Sequence, residues 1–284
     1  METITLSAYA KLNLSLSIVG TLPNGYHLLE SVMQEISLAD TVRVETIPSG
    51  ILLSCDRVGI PTDEKNLCHK AARLYLEKAS LSGGVRIDLK KRIPDGAGMG
   101  GGSSDAAAVL KAMSCLYPAK VDLPALALAI GADVPFFLLG KSAFCEGIGE
   151  KLTPLSFPAK CRLFGVAAKN APGLQTAEVY KLYDAAPTKG AAPKKADLID
   201  ALQGGRTEKF FSLMRNDLEL AAFLLRPEIA LLKEQILSLG ASCAMMTGSG
   251  SAVFGLFSNR ETALSCAEKL REYPNTEAHF FTLL

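Results

Sequence analysis

Two ionisable side chains stand apart from their surroundings. Lys11 is the only charged residue between Glu2 and Glu30, and it shares one side of an alternating stretch with Ser7, Tyr9 and Asn13. Asp133, in GADVPFF, follows Gly131 and has apolar neighbours in Val134, Phe136 and Phe137. Each has an ordinary reading: a strand lysine facing water, and a turn aspartate before Pro135. Each also has a chemical one. A single positive charge among small neutral groups suits a developing anion, and a carboxylate among apolar groups suits a desolvated base. A Lys–Asp pair of this kind can align and deprotonate a substrate hydroxyl.

A second set of residues points to phosphate. In IPDGAGMGGGSSDAAAVL, residues 93–110, five of the seven positions from Gly96 to Gly102 are glycine. The stretch lies between an alternating segment and an alanine-rich run, so it reads as a turn from a strand into a helix. Missing Cβ atoms let backbone N–H groups approach phosphate oxygens, and the helix dipole favours negative charge there. One or two glycines fit a crowded turn that needs positive φ. Five in seven, followed by Ser103 and Ser104, fit it poorly and read as phosphate-binding backbone.

The residues beyond the glycines exclude other phosphate loops. Gly96 to Gly101 matches G-x-G-x-x-G, but a dinucleotide fold needs a second strand ending in an acidic residue about 20 positions on. Here that region, PAKVDLPALALAIG, reads as loop and helix. A Walker loop would end in G-K-S or G-K-T. The protein-kinase signatures H-R-D and D-F-G are absent. Tyr26-His27 sits just past Asn24-Gly25; the histidine is structural, or the pair stacks on a nucleobase and reads its edge. TGSGS, residues 247–251, reads in isolation as a hairpin turn. His69, His279 and the cysteines lack metal-ligand spacing.

The elements that must position these groups are set by periodicity. Ile4, Leu6, Ala8, Ala10, Leu12, Leu14, Leu16 and Ile18 alternate with polar or small residues, which predicts a half-buried strand. A turn through Asn24-Gly25, a mixed stretch and a short strand DTVRVETI come next. Leu67, Ala71 and Leu74 recur at helical spacing behind Asn66 as N-cap. GVRIDLKKRI alternates again, and a helix is expected from about Ser104 to Tyr117. Asp122 caps another helix, with Pro124 in its first turn and its stop at Gly131.

The second half predicts a strand CRLFGVAA, a mobile surface loop over residues 185–197, and helices over about 207–225 and 227–239. Strands CAMM and AVFGLF flank TGSGS, and RETALSCAEKLREY and EAHFFTLL read as a final helix and strand. The order β-α-α-β-β-α-β is that of a ferredoxin-like split βαβ unit. A boundary near residue 155 divides the chain into domains 1–155 and 156–284.

Composition narrows the class. With 284 residues, 49% of them hydrophobic, the chain can fill one long domain or two ordinary ones. Thirty basic and 29 acidic residues leave a net charge of +1 with no basic stripe, so no nucleic-acid partner is expected. The seven cysteines are widely spaced and contain no CxxC, which reads as reduced, buried thiols in a cytoplasmic protein. METITLSAYAKLN lacks the basic and apolar regions of a signal peptide. No uncharged apolar run approaches the roughly 18 residues of a membrane span, so no membrane partner is expected.

Together with AYAKLNLSLSIVG, NGYHLLESVMQ, GADVPFFL, AFCEGIGE, NDLE and TGSGSAVFG, the glycine segment resembles the GHMP small-molecule kinases. That family includes galactokinases and the homoserine, mevalonate and phosphomevalonate kinases. The likeness runs in order over nearly the whole chain. It implies an α+β, two-domain GHMP-kinase architecture: an N-terminal ATP-binding domain, a C-terminal ferredoxin-like domain and a cleft between them. It also implies transfer of the ATP γ-phosphate, with Mg2+, to the 2-hydroxyl of a branched alcohol carrying a cytidine diphosphate. Such a reaction belongs to a non-mevalonate route to isoprenoid precursors. A homoserine- or mevalonate-type kinase, or a non-catalytic nucleotide sensor on the same fold, are the alternatives.

Carried onto this chain, the resemblance makes Lys11 and Asp133 the catalytic pair, with Asn13 holding the substrate beside them. Tyr26 would stack on the cytosine and His27 would read its edge. Thr176 and Tyr180, in GLQTAEVYKLY, would add a substrate contact and a second aromatic over the base. Pro94, Gly96, Ala97, Gly98, Met99, Gly100, Gly101, Gly102, Ser103 and Ser104 would wrap the ATP phosphates. Asn66, Leu67 and Lys91 would lie near the nucleotide. The magnesium ligands stay unassigned beyond Ser103 or Ser104, and a monomer or weak homodimer is expected.

Overall fold

The computed structural model describes residues 2–156, 163–186 and 191–284. They form two compact units, one of Met1–Ala10, Ala39–Ile93 and Gly100–Gly140, the other of Lys11–Leu38, Pro94–Met99 and Lys141–Leu284. Strands β1 (Thr3–Thr21) and β2 (His27–Ile47) pair with each other, and each runs through both units.

In the first unit, β3 (Gly50–Cys55) lies parallel to β4 (Gly84–Lys90). Parallel neighbours need a crossover connection, and α1 (Leu67–Ala79) provides it. The C-terminal part of β2 runs antiparallel to β4, with Val44 opposite Ile87. α1 starts as expected, because Asn66 Oδ1 accepts the Cys68 N–H at 2.9 Å. α2 (Gly101–Leu116) begins earlier than the expected Ser104, taking two glycines into its first turn. Its alanines at 106, 107, 108 and 112 are buried, and their small size lets neighbouring helices approach closely. α3 (Leu123–Ile130) is capped by Asp122, which accepts the Ala125 N–H at 3.0 Å. α4 (Val134–Leu139), not foreseen from the sequence, has Pro135 in its first turn, where no N–H is needed. Val44, Tyr75, Ile87, Leu110 and Phe136 are buried here, each large apolar side chain stabilising by about 1.5–3 kcal/mol.

The second unit adds β5 (Ser142–Gly147), antiparallel to β2, and β6 (Lys151–Pro154), antiparallel to β5. Beyond them come β7 (Phe164–Lys169), α5 (Thr176–Ala185), α6 (Lys195–Gln203), α7 (Thr207–Leu213), α8 (Glu219–Leu225) and α9 (Pro227–Ser238). β8 (Cys243–Met246), β9 (Val253–Phe257), α10 (Arg260–Arg271) and β10 (Glu277–Thr282) complete the chain. The last four strands form an antiparallel sheet in the order β10-β7-β9-β8. That spatial order, fourth-first-third-second, is the ferredoxin-like arrangement expected. Ile229, Leu232 and Ile236 of α9 and Cys266 and Leu270 of α10 join Val166 and Val253 in one core.

Several expectations need correction. The polar side of β1 does not face water: Lys11, Asn13, Ser15 and Ser17 are all buried. Asn13 on that side meets Ser31 and Thr247, and residues 215–217 pair with the strand edge, with Leu16 N–H bonded to Arg215 O at 2.8 Å and Ile18 N–H to Asp217 Oδ2 at 2.8 Å. That bridge also breaks the helix expected over 207–225 into α7 and α8, because residues spent on pairing with β1 cannot stay helical. The mixed stretch after Tyr26 is not a break but part of one 21-residue strand, β2. Its buried Gln34 is satisfied across the fold, donating to Glu35 O and Leu284 O.

Within the expected 185–197 loop, residues 187–190 lie outside the described residues, and Lys195 onward is helical. Cys161 and Arg162 of the expected strand CRLFGVAA also lie outside them. The thiols are less uniformly buried than expected: Cys115 is exposed, and Cys55 and Cys243 are half-buried.

Candidate active site

Lys11 is held by an internal polar net within the second unit. Its Nζ donates to Asn13 Oδ1 at 2.5 Å, and Asn13 Nδ2 donates to Ser31 Oγ at 2.8 Å, which in turn donates to Ser15 O at 2.7 Å. Asn13 N–H donates to Thr247 Oγ1 at 3.0 Å. The Asn13 side chain thus has protein partners at both its oxygen and its nitrogen, and the residue is only 1% exposed. Its direct effect is to aim the Lys11 ammonium. The sequence drew no attention to Thr247 beyond its turn, yet this hydroxyl joins β1 to the hairpin between β8 and β9.

The same hairpin clamps the glycine loop. Lys11 N–H bonds Met99 O at 3.0 Å, Ser251 N–H bonds Gly96 O at 3.3 Å, and Ala252 N–H bonds Ala97 O at 3.3 Å. Asn216 Nδ2 secures the hairpin in turn, donating to Met246 O and Gly248 O at 2.8 Å each. The crowding is severe. A Cβ on Gly98 would stand 2.2 Å from Thr247 O, and one on Gly96 would stand 3.1 Å from Gly173 Cα. Gly96, Gly98 and Gly100 also have φ of +57°, +71° and +73°. Three of the five glycines are therefore demanded by the protein itself, so the crowded-turn reading holds for them too.

Gly101 and Gly102 differ. A Cβ on Gly101 would meet Ile93 Cγ2 at 3.2 Å, whereas one on Gly102 would meet only Leu67 Cδ1, at 3.9 Å. Gly102 is exposed, in the first turn of α2, and lies beside the residue that opens α1. No internal contact or backbone angle requires glycine there. Ser103 is half-buried and Ser104 buried. Pro94 is buried at the start of the loop, and Met99 is buried at its end.

The first unit holds a buried ion triad. Lys91 Nζ pairs with Asp40 Oδ2 and, at 2.5 Å, with Asp105 Oδ2. Asp40 Oδ1 also accepts the backbone N–H of Arg92 and of Ile93. Burial pushes the Asp105 carboxyl up to about 7, against the pull of the Lys91 ammonium. Lys91 is thereby drawn inward, tying the residues that enter the loop to α2 just beyond its first turn. Neither acid stood out in the sequence, because burial of a charge is not a local property. Asn66 caps α1 and donates its amide to Pro61 O at 2.6 Å. Asp133 occupies the N-cap position of α4 without making a capping hydrogen bond. Lys11 and Asp133 belong to different units.

Tyr26 is 60% exposed at the β1–β2 turn, where its N–H bonds Asn24 Oδ1 at 3.1 Å. His27 is enclosed by α5. Tyr180 stacks on its ring with centroids 4.6 Å apart, Tyr183 meets it edge-on at 6.2 Å, and Asp184 Oδ1 lies 2.8 Å from Nε2. These three side chains sit at i, i+3 and i+4, one face of a helix. One turn earlier on that face, Thr176 Oγ1 lies 3.0 Å from Ser249 Oγ of the hairpin.

The family pattern "GHMP kinases N terminal domain" matches residues 66–141 and "GHMP kinases C terminal" matches residues 198–276. The chain is a GHMP-type small-molecule kinase, a class that uses ATP as co-substrate. A 4-diphosphocytidyl-2-C-methyl-D-erythritol kinase of Clostridium botulinum is 43% identical over 94% of this chain and 95% of its own. One from Clostridium kluyveri is 40% identical over 94% and 95%. Within the class, the chain belongs to the family of 4-diphosphocytidyl-2-C-methyl-D-erythritol kinases. A crystal structure of a 4-(cytidine 5'-diphospho)-2C-methyl-D-erythritol kinase superposes with a TM-score of 0.84 at 41% identity, covering 98% of this chain and 99% of that one. Homoserine kinase from Cytophaga hutchinsonii shares the fold alone, at 21% identity and a TM-score of 0.77 over 100% of this chain and 95% of its own.

Proposed function

We propose that the chain transfers the γ-phosphoryl group of ATP to the 2-hydroxyl of 4-diphosphocytidyl-2-C-methyl-D-erythritol, in non-mevalonate isoprenoid synthesis. The observation that carries this reading is the convergence on β1 and the turn after it. A buried, aimed lysine stands bonded to the end of a glycine loop, and the same hairpin leads to an aromatic-lined histidine. A kinase for a small alcohol without a nucleobase has no use for the second feature.

Asp133 takes the proton of the hydroxyl as its oxygen forms a bond to the γ-phosphorus. The bond from that phosphorus to the bridging oxygen of ADP breaks, and the electron pair leaves with ADP. Lys11 neutralises charge at the reacting oxygens, and its fixed position spares the reaction the reorganisation that water would need. Gly102, Ser103 and the first turn of α2 bind the phosphates, and Gly96 and Gly98 allow the loop its close packing. Lys91 serves the nucleotide by holding that loop, with Asn66 and Leu67 beside it. Asn13 serves the substrate through Lys11, while Tyr26, Tyr180 and Thr176 hold the cytidine end.

Magnesium enters with the ATP. Ser103 or Ser104 would add a protein ligand to those of the ATP, and the ion would offset the charge of the phosphates; among the described residues no group of three or more His, Cys, Asp or Glu could hold a metal ion. We divide the chain functionally into a nucleotide side, 1–155, and a substrate side, 156–284, with the two family patterns falling on either side of that boundary. We place the enzyme in the cytoplasm as a monomer or weak homodimer. Among the described residues no helix is long and apolar enough to cross a membrane.

Incubation with Mg-ATP and the cytidine substrate should yield ADP and a product with one added phosphate. Turnover of homoserine or mevalonate in its place would sink this reading. Asp133→Asn should lower kcat by about 100-fold or more, the usual contribution of a positioned base, while ATP affinity stays near that of the wild type. Lost ATP binding in that variant would mean that Asp133 belongs to the nucleotide site.

A further inference from the structure

His27 is the group that the proposed function assigns to reading the cytosine edge, and an imidazole can read an edge in two opposite ways. In the neutral ring one nitrogen is a donor and the other an acceptor, so the proton on one settles the role of the other. The structure constrains that choice. Asp184 Oδ1 lies 2.8 Å from His27 Nε2. A carboxylate only accepts, so Nε2 must carry the proton, and in the neutral ring Nδ1 is then the acceptor. Among the described residues Nδ1 has no hydrogen-bond partner.

The ring is also held against flipping. Tyr180 covers its face at 4.6 Å with planes 25° apart, and Tyr183 closes from the edge at 6.2 Å and 81°. A flip would exchange ring nitrogens for carbons and forfeit the Asp184 bond. All three partners come from α5, so one helix sets both orientation and tautomer. The His27 side chain is 8% exposed, whereas Asp184 is half-exposed. Asp184 can therefore be replaced without opening a core cavity.

We infer that Asp184 is a specificity-determining residue: it holds His27 as the Nε2–H tautomer, so that Nδ1 accepts from the 4-amino group of cytosine and rejects the 4-carbonyl of uracil. Cytosine offers a donor at position 4, where uracil offers an acceptor. Acceptor facing acceptor leaves a desolvated group unpaired on each side, which is how polar sites reject near-isosteric ligands. Asp184 touches no reacting atom; it acts through His27. The inference rests on the proposed substrate class and would fail separately from it.

The test compares kcat/KM for the cytidine and uridine forms of the diphosphate substrate in wild type, Asp184→Ala and Asp184→Glu. Wild type should prefer cytidine, Asp184→Ala should narrow the preference by about tenfold or more, and Asp184→Glu should restore part of it, as expected for one discriminating hydrogen bond. Long-range 1H–15N spectra of the full chain, which has three histidines, should show His27 as Nε2–H in wild type and a mixture of tautomers in Asp184→Ala. An unchanged cytidine-to-uridine ratio in Asp184→Ala would overturn the inference, and so would a wild-type His27 protonated on Nδ1 alone. A wild type that turns over neither substrate would overturn the proposed function instead, and the tautomer spectra would then decide the role of Asp184 alone.

Discussion

The glycine loop allows two substitutions of the same kind to have opposite effects on stability. Gly98→Ala adds a methyl that would lie 2.2 Å from Thr247 O and 3.2 Å from Gly250 O, at a φ of +71°. The left-handed backbone costs an alanine about 1 kcal/mol, and overpacking against backbone oxygen adds about 1–3 kcal/mol. Gly102→Ala meets nothing nearer than 3.9 Å and lies within a helix, where alanine is favoured over glycine by about 0.5–1 kcal/mol. At about 2 °C per kcal/mol for a chain of this size, Gly98→Ala should melt about 4–8 °C below wild type. Gly102→Ala should melt level with wild type or about 1–2 °C above it. The order should reverse in activity. With the phosphates bound at this helix start, as proposed, the Gly102 methyl would stand between them and the backbone N–H groups, so the KM for ATP should rise about tenfold or more, the loss of one hydrogen bond to a charged group. Thermal melts with and without ATP, together with steady-state kinetics, read both effects. A wild-type melting temperature for Gly98→Ala would refute the crowding argument. An unchanged KM in Gly102→Ala would refute the claim that the ligand requires glycine there.

The same geometry gives two further outcomes. Asp105 is raised to about 7 by burial, above its value in the unfolded chain. Between about pH 4 and pH 7 the folded state therefore keeps a proton that the unfolded state has released, and stability falls as pH rises through that window. Asp105→Asn removes this penalty, so its stability relative to wild type should improve by at most about 3 kcal/mol from near pH 5 to near pH 8. Urea titrations at the two pH values check it, and an equal difference at both would show that Asp105 is ionised throughout. Tyr26→Ala should raise the KM for the cytidine substrate several-fold with little change in the KM for ATP, since stacking on a base contributes about 1–3 kcal/mol. Equal KM values for the cytidine substrate in variant and wild type would remove Tyr26 from the site.

Much of the framework was legible because it is local. The N-caps Asn66 and Asp122, the alternation of β1 and β4, and the turn at Asn24-Gly25 depend on side chains within a few residues of each other. The glycine run was legible as a turn from strand into helix, but the division of labour among its glycines was not. Gly98 is glycine because Thr247 lies against it, and nothing near Gly98 in the chain says so. The continuity of β2 was hidden by Ser31, Gln34 and Glu35, polar residues whose burial depends on partners elsewhere.

By itself the sequence determined the family, through motifs held in an order shared with a class of kinases, and it nominated the groups proposed for the chemistry: one lysine, one aspartate, a glycine-rich backbone and a Tyr-His pair. Only the tertiary structure decided how those groups are set. Asn13 meets Thr247 across 234 residues, and His27 meets Asp184 across 157. Hydrogen-bond satisfaction, burial of charge and the tautomer of an imidazole are properties of neighbours in space. Residue types list the possible donors and acceptors; the fold decides which of them meet.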